Sequence, residues 1–340
     1  MGSKCSDPQA LFICDASPLI GAGHITRCLA LARGLAIGGW HCHFAVSPNA
    51  LRTVPALNAS GFSISVVEFQ STSLMRLCKR QARIDLLILD NYRLDVGFER
   101  GARSFARTIL VIDDATNRSH DCDFLVDGAA TESRIYSNLV PSQTRLLLGP
   151  KFALIGSEFQ LNRSTSLARR DGRPVRELLI SCGATDPVNA TSRILDAVGR
   201  DASDIRVTVV LSSQAFHLDS VRQRLSKNAS LILDAQNMPE LMTRADIAIG
   251  GAGGTAYERA ALGLPTALFV SVENQREIAS LVTSQGAALY IGLLDSDFSV
   301  RLRKAFDRLR NEPELRKSLA LAGYALIDGQ AALRITEILK

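Results

Sequence analysis

Two short stretches hold the residue types that chemistry needs. The longer is Gly250-Gly251-Ala252-Gly253-Gly254-Thr255-Ala256-Tyr257-Glu258, followed by Gly263-Leu264-Pro265 and Glu273-Asn274-Gln275. Glycines let a backbone approach a ligand closely, and a helix beginning near Thr255 presents free N–H groups that favour an anion. Gly251, Gly253, Gly254 and Thr255 therefore read as a phosphate cradle. Glu258, in the first turn of that helix, is placed to take both hydroxyls of a ribose. A glycine-rich turn with nothing bound is the plainer alternative. The second stretch is Gly21-Ala22-Gly23-His24-Ile25-Thr26-Arg27, which puts His24 at a helix start and Arg27 about one turn further on. The positive end of a helix disfavours imidazolium, so it helps hold His24 in the neutral form that a general base requires. A histidine that merely caps or packs the helix is the competing reading.

Strands and helices alternate along the chain and would place both stretches at strand ends. Leu11 to Cys14 is a first buried strand, the loop Asp15 to Gly23 follows, and a helix spans about His24 to Ile37. Strands near 43–46, 63–67, 86–89, 108–112 and 124–126 alternate with helices near 74–81 and 96–107. The strand Leu86 to Leu89 ends in Asp90-Asn91-Tyr92, polar residues on the crevice side of an open α/β sheet. From 151 to 174 the pattern weakens into a polar, arginine-rich stretch, the best linker candidate. Alternation resumes with strands near 178–181, 207–211, 231–233, 247–249 and 266–270. The chain ends in helices from Pro313 and from about Ala331.

The expectation is an α/β protein with a 9–150 domain carrying the histidine loop and a 175–340 domain carrying the cradle, its last helix packing back on the first domain. Glycine loops at the strand ends of both domains would put a ligand in a cleft between them. At 340 residues and 46% hydrophobic content, the chain can bury two cores. No apolar segment approaches the roughly 18 uncharged residues of a membrane span. The start, Met1-Gly2-Ser3-Lys4-Cys5-Ser6, fits a loose myristoylation pattern without a following polybasic patch, so residues 1–8 read as a frayed tail and no stable membrane association is expected.

Seven cysteines with no C-x-x-C pair indicate neither zinc nor disulfides and suit a cytoplasmic protein. A net charge of +5 with scattered Lys and Arg gives nucleic-acid binding little support. His41 and His43 alternate along one strand and read as structural. Asp121-Cys122-Asp123 has the form of a metal-binding D-x-D but lies between turn residues and a new strand, so no metal is expected. A dinucleotide cofactor is not expected either. The first loop has Thr26 at the third glycine position and its next strand ends in Ser47. Gly251 to Ala256 satisfies G-x-G-x-x-A but follows the fourth strand of its domain.

Taken together, Asp15, Gly21 to Arg27, Leu89-Asp90-Asn91-Tyr92, Ile112-Asp113-Asp114, His120 to Asp123, Gly183-Ala184-Thr185-Asp186-Pro187-Val188-Asn189 and Asn274-Gln275 resemble the PseG-type UDP-2,4-diacetamido-2,4,6-trideoxy-β-L-altropyranose hydrolases of pseudaminic acid synthesis. The resemblance runs from about residue 10 to 335. The second half is also similar to the MurG-like glycosyltransferases, which share the GT-B architecture of two Rossmann-like domains facing each other across a cleft.

The resemblance implies metal-independent hydrolysis of a UDP-sugar at its anomeric bond, without a cofactor; separately, a monomer is the expectation, although the sequence does not identify the oligomeric state. It makes His24 the base that activates water, with Tyr92 and Asn274 beside the sugar. Asp15, Gly21, Gly23, Arg27, Asp90, Asn91, Thr185, Asp186 and Gln275 complete the substrate site with the cradle residues. The sequence departs from the family at Ile13 and Gly156, where arginines are usual, and at Ala184, where glycine is usual. A glycosyltransferase using the same donor, and a non-catalytic sugar-nucleotide sensor, are the alternatives.

Overall fold

The computed structural model describes residues 7–81, 83–199 and 201–340. Cys5 and the myristoylation-like start at 1–6 lie outside them. The chain divides into two units, one comprising the residues up to Leu154 with Gln330–Lys340, the other Ile155–Gly329.

The first unit runs β1 (Gln9–Cys14), α1 (Gly23–Ile37), β2 (His41–Val46), α2 (Pro48–Thr53), α3 (Pro55–Asn58), β3 (Ser63–Val66), α4 (Ser71–Arg80), β4 (Ile84–Asp90), α5 (Val96–Ala102), β5 (Ala106–Ile112), β6 (Phe124–Asp127) and β7 (Arg145–Leu148). Its strands are parallel, in the order β3-β2-β1-β4-β5-β6-β7. Side chains alternate faces along β1 and β4. Phe12, Leu86 and Ile88 pack with Ile25, Cys28 and Leu35 of α1 on one side. Leu11, Ile13, Leu87 and Leu89 pack with Leu74 and Phe98 on the other. A strand covered on both faces has no polar alternation, hence the unbroken apolar runs in the sequence. Each such side chain contributes roughly 1.5–3 kcal/mol by leaving water. Ile13, where the resembled family carries arginine, is fully buried in this core. His41 meets Asp7 and His43 meets Ser65, both through Nε2.

The second unit runs α6 (Ser157–Ala168), β8 (Glu177–Ser181), α7 (Ala190–Val198), β9 (Arg206–Leu211), α8 (Leu218–Arg222), β10 (Ala229–Leu233), α9 (Met238–Arg244), β11 (Ile247–Gly251), α10 (Thr255–Ala261), β12 (Thr266–Val270), α11 (Arg276–Ser284), β13 (Leu289–Leu293), α12 (Phe298–Asn311) and α13 (Pro313–Leu326). This sheet too is parallel, ordered β10-β9-β8-β11-β12-β13. The last helix, α14 (Ala331–Ile338), belongs to the first unit and packs on α1. A Cβ on Gly34 would stand 2.8 Å from that of Ala332, so glycine is what allows the two helices to come this close.

The stretch expected as a linker over 151–174 contains α6, and α6 is part of the second unit. It lacks a clear apolar period because much of its docking is done by arginine on carbonyls. Arg163 donates to Ala261 (3.1 Å) and Tyr324 (2.8 Å), and its guanidinium stacks on the Tyr324 ring at 3.8 Å. Arg170 is buried and donates to Met242 (3.0 Å) and to Ser166 Oγ (2.9 Å). The expected helix over 96–107 stops at Ala102, and the following Arg103 bridges Asp121 and Asp123 instead of extending it. Among the described residues, no helix is long and apolar enough to cross a membrane.

Candidate functional site

In the first unit β1 leads through α1 to β2 on one side and has β4 on the other, so the strand order reverses between β1 and β4. Ligands of such sheets bind outside the carboxyl ends of the strands at this point. Here it carries Asp15 to Gly23 after β1 and Asp90 to Tyr92 at the end of β4. Gly21, at φ +84°, closes a tight turn by donating its N–H to the Ser17 carbonyl at 2.8 Å. Asp15 is buried and fully committed. Its Oδ1 accepts from the Ala16 N–H (2.9 Å) and Ser47 Oγ (2.5 Å), and its Oδ2 from Arg93 Nη2 (2.7 Å).

Asp90, with no solvent exposure, is the hub of the cluster. Its Oδ1 lies 2.6 Å from His24 Nδ1 and 2.6 Å from Arg27 Nη2, and its Oδ2 accepts from Arg27 Nε at 2.6 Å. Burial pushes this carboxyl up, but the Arg27 charge and the bonds from Arg27 and His24 outweigh it and hold it well below the usual carboxylate range. An ionised carboxylate only accepts, so Nδ1 of His24 carries a proton and Nε2 of a neutral ring carries the lone pair. Arg27 Nη2 also stands 3.2 Å from Nδ1, but two donors cannot bond, so the shared Asp90 oxygen is what links them. The helix end is not the only group acting on His24. In the structure the ring is oriented by a carboxylate 66 residues away.

Tyr92 meets the His24 ring edge-on, with centroids 4.9 Å apart, and its hydroxyl donates to Asp114. Arg27 Nη1 reaches the same carboxylate at 2.7 Å. Arg118 lies over the Tyr92 ring at 5.3 Å and donates to the carbonyls of Tyr92 (3.1 Å) and Leu94 (3.2 Å) and to Asp113 (2.5 Å). Behind it, buried His120 places Nδ1 2.7 Å from Glu99 Oε1 and Nε2 3.6 Å from Asp113, the latter an ion-pair distance. Burial alone would lower His120, but Asp113 and Glu99 overcome it and raise it to about 9. Asn91 spends its side-chain oxygen on the Arg93 N–H (2.8 Å), an Asx turn that shapes the loop. Asp114, Arg93 and Arg118 join this cluster with little sequence signal beyond the Asp113-Asp114 strand end. The D-x-D carboxylates do not join it, since both are bound to Arg103.

In the second unit the order reverses between β8 and β11, which brings the Gly183 to Asn189 loop and the glycine-rich loop to the same sheet edge. Asp186 has both oxygens on its own helix, accepting from the N–H groups of Ala190 (2.9 Å) and Thr191 (2.8 Å). Both oxygens thus cap the first turn of α7. Thr185 is buried, and its carbonyl accepts from the Phe216 N–H at 3.2 Å. The start of α10 is different. The Gly253 and Gly254 N–H groups have no acceptor among the described residues. Neither glycine needs positive φ, and a Cβ on Gly254 would meet nothing within 4 Å. Internal packing gives Gly254 no reason to be glycine, whereas close approach by a ligand does.

Glu258 is 8% exposed, and its carboxylate takes no hydrogen bond among the described residues. Burial raises it to about 7, against the pull of adjacent Arg259. A buried carboxylate without donors is a group poised for a ligand. Gln275 holds its side-chain oxygen on Ser271, through N–H (2.9 Å) and Oγ (3.0 Å), leaving its Nε2 3.8 Å from where a Gly253 Cβ would be. Asn274 sits in the same 3-10 turn, Glu273–Gln275. The structure thus gathers His24, Tyr92, Arg27, Asp90, Asn91, Asp15, Gly21 and Gly23 in the first unit, and Gly251, Gly253, Gly254, Thr255, Glu258, Asn274, Gln275, Thr185 and Asp186 in the second.

Comparison with known proteins adds to this geometry. Residues 178–325 match the glycosyltransferase family 28 C-terminal domain. The match covers β8 to α13 and so includes the whole glycine-rich edge. The chain is 31% identical over 212 residues to the spore coat polysaccharide biosynthesis protein SpsG of Bacillus subtilis (strain 168), covering 61% of this chain and 61% of that protein. It therefore spans less than two thirds of that relative's length. It is 24% identical over 283 residues to the UDP-2,4-diacetamido-2,4,6-trideoxy-beta-L-altropyranose hydrolase of Campylobacter jejuni subsp. jejuni, covering 82% of this chain and 97% of the hydrolase. Among solved structures, Acinetobacter baumannii MurG superposes with a TM-score of 0.66 at 14% identity, over 98% of this chain and 99% of that one. The fold is GT-B, with two Rossmann-like α/β units.

Proposed function

We propose that this protein hydrolyses a UDP-linked 2,4-diacetamido-2,4,6-trideoxy sugar at its anomeric bond, releasing UDP and the free sugar for nonulosonic acid synthesis. The observation that carries the reading is the His24–Asp90 pair, which leaves the lone pair of a neutral ring on Nε2, the atom a general base for water uses. The likeness to the Campylobacter hydrolase, over nearly its full length, supports it.

In this mechanism His24 Nε2 takes a proton from water as the oxygen attacks the anomeric carbon. The bond from that carbon to the β-phosphate oxygen breaks, and its electron pair leaves with UDP. Asp90 stabilises the imidazolium that forms, as an ionised carboxylate at 2.6 Å should. The unbonded N–H groups of the glycine loop hold the diphosphate as charge develops on it. Glu258 takes the ribose hydroxyls, while Tyr92, Asn274 and Gln275 position the sugar. No step requires a metal.

The family 28 match favours a second reading, transfer of the same sugar to an acceptor other than water. One experiment separates them. The protein is incubated with a panel of UDP-sugars in oxygen-18 water, with and without chelator, and followed by NMR and mass spectrometry. Hydrolysis at carbon places the label in the free sugar in both conditions. Label in UDP would mean attack at phosphorus, and UDP release only when an acceptor alcohol is added would mean transfer.

A further inference from the structure

Beneath the glycine loop lies Arg259, at 1% exposure the largest fully buried side chain among the described residues. It stands one turn after Thr255 on α10. Its Nη2 donates to the Gly251 carbonyl at 2.6 Å and its Nη1 to Thr255 Oγ1 at 3.2 Å. Nε is buried and has no acceptor, and no carboxylate forms an ion pair with the guanidinium among the described residues. A Cβ on Gly250 would come to 2.5 Å from both Nη1 and the Ser181 carbonyl, so a glycine lets the guanidinium pack directly against the strand backbone there. Burial lowers Arg259 to about 10, with Glu258 pulling the other way, and at neutral pH it keeps its charge.

A desolvated guanidinium with only a carbonyl and a hydroxyl for partners is costly to a fold. Two consequences of its position offset that cost when an anion binds. Drawing the Gly251 carbonyl down onto the guanidinium keeps its negative end off the ligand face. The fixed positive charge then lies below a loop whose Gly253 and Gly254 N–H groups are unbonded. Coulomb attraction from a buried site is screened far less than from the surface.

We propose that Arg259 is the positioning residue of the diphosphate site, holding the glycine loop in its anion-binding form and supplying a buried positive charge beneath the ligand's phosphates. This rests on the reading of that loop as a nucleotide site. A plain structural anchor for α10 would hold the same bonds but would not discriminate between ligands by their charge.

The test is calorimetric titration of the full chain with uridine, UMP and UDP, in wild type, Arg259→Met and Arg259→Lys. Wild-type affinity should rise from uridine to UMP to UDP. Arg259→Met should lose about tenfold more affinity for UDP than for uridine, or ~1.4 kcal/mol. Arg259→Lys, which keeps the charge, should hold the UDP-to-uridine ratio within about threefold of wild type. Equal losses for all three ligands in Arg259→Met, or no loss, would overturn the proposal. If circular dichroism shows Arg259→Met unfolded, Arg259→Lys decides: a folded lysine variant that loses the UDP preference also overturns it. Wild-type protein that binds none of the three would instead refute the nucleotide reading, and the proposal with it.

Discussion

At the ends of β1, β4 and β5 the buried carboxylates have partners, whereas after β11 the largely buried Glu258 has no hydrogen-bond donor among the described residues and the loop before it is almost bare of side chains. Asp15 holds Arg93 and Ser47, Asp90 holds Arg27 and His24, Asp113 holds Arg118, and Asp114 holds Tyr92 and Arg27. Such a network fixes side-chain orientation before any ligand arrives, as chemistry requires. The bare edge keeps its hydrogen-bonding capacity for something that brings its own charge. The same sheet topology thus carries a bonded side-chain network at one edge and an almost bare glycine loop at the other.

The comparison breaks most visibly at Asp90. Asp90→Asn should cost kcat about 10³–10⁴-fold, because an amide can stabilise the wrong histidine tautomer. It should also destabilise the first unit, since Arg27 loses its bidentate partner and a broken buried pair costs about 3–5 kcal/mol. Steady-state kinetics and urea melts check the two effects separately. At the other edge, Glu258→Ala should leave the fold intact and weaken uridine and UDP alike by roughly 10–100-fold, the loss of one or two charge-assisted hydrogen bonds. Equal UDP binding by wild type and variant would end the ribose assignment.

The same carboxyl predicts a pH effect. Its folded value near 7 lies above its ordinary 4.5, so the folded state holds the extra proton between those values, and its contribution to stability falls as pH rises through that window. Ribose hydroxyls donate best to the ionised form. UDP-sugar affinity, measured with a pyrophosphate that does not titrate in this range, should therefore rise from pH 6 to 8 in wild type and stay flat in Glu258→Gln.

How much of this was legible in the sequence differs between the edges. The bare edge was nearly all visible, because glycines and a helix start are contiguous in sequence. The crowded edge was visible only in its parts. Arg27 follows His24 at helical spacing, but Asp90 meets them through the register of β4 beside β1, and Asp114 and Arg118 through that of β5. Nothing local marks such pairings. Asp186 caps α7, and because a cap and an anion-binding loop share composition the sequence alone does not tell the two apart. β13 gave little signal because Gly292, at φ +85°, interrupts it where its register with β12 shifts. The 151–174 stretch misled because burying arginine on carbonyls leaves no apolar stripe.

Smaller effects sharpen the contrast. Gly254→Ala should leave Tm unchanged or slightly raised, since its backbone is already helical and its Cβ would meet only space, yet weaken UDP binding about tenfold by obstructing the phosphate. An unchanged Kd would mean that no ligand comes close there. His120 should influence stability alone. Its folded value near 9 lies above the ordinary 6.5, so its contribution is fully present below pH 6.5 and lost as pH rises through 9. In His120→Gln, thermal melts between pH 7 and 9 should lose that slope.

The central claim, that the crowded edge does the chemistry and the bare edge holds the nucleotide, is tested most directly by His24→Leu. kcat on the UDP-sugar that wild type hydrolyses and Kd for UDP are measured on the same preparation. The account predicts a kcat lower by at least about 10²-fold, with UDP Kd within about threefold of wild type. A variant that hydrolyses at the wild-type rate, or one whose loss lies entirely in UDP binding, would contradict it.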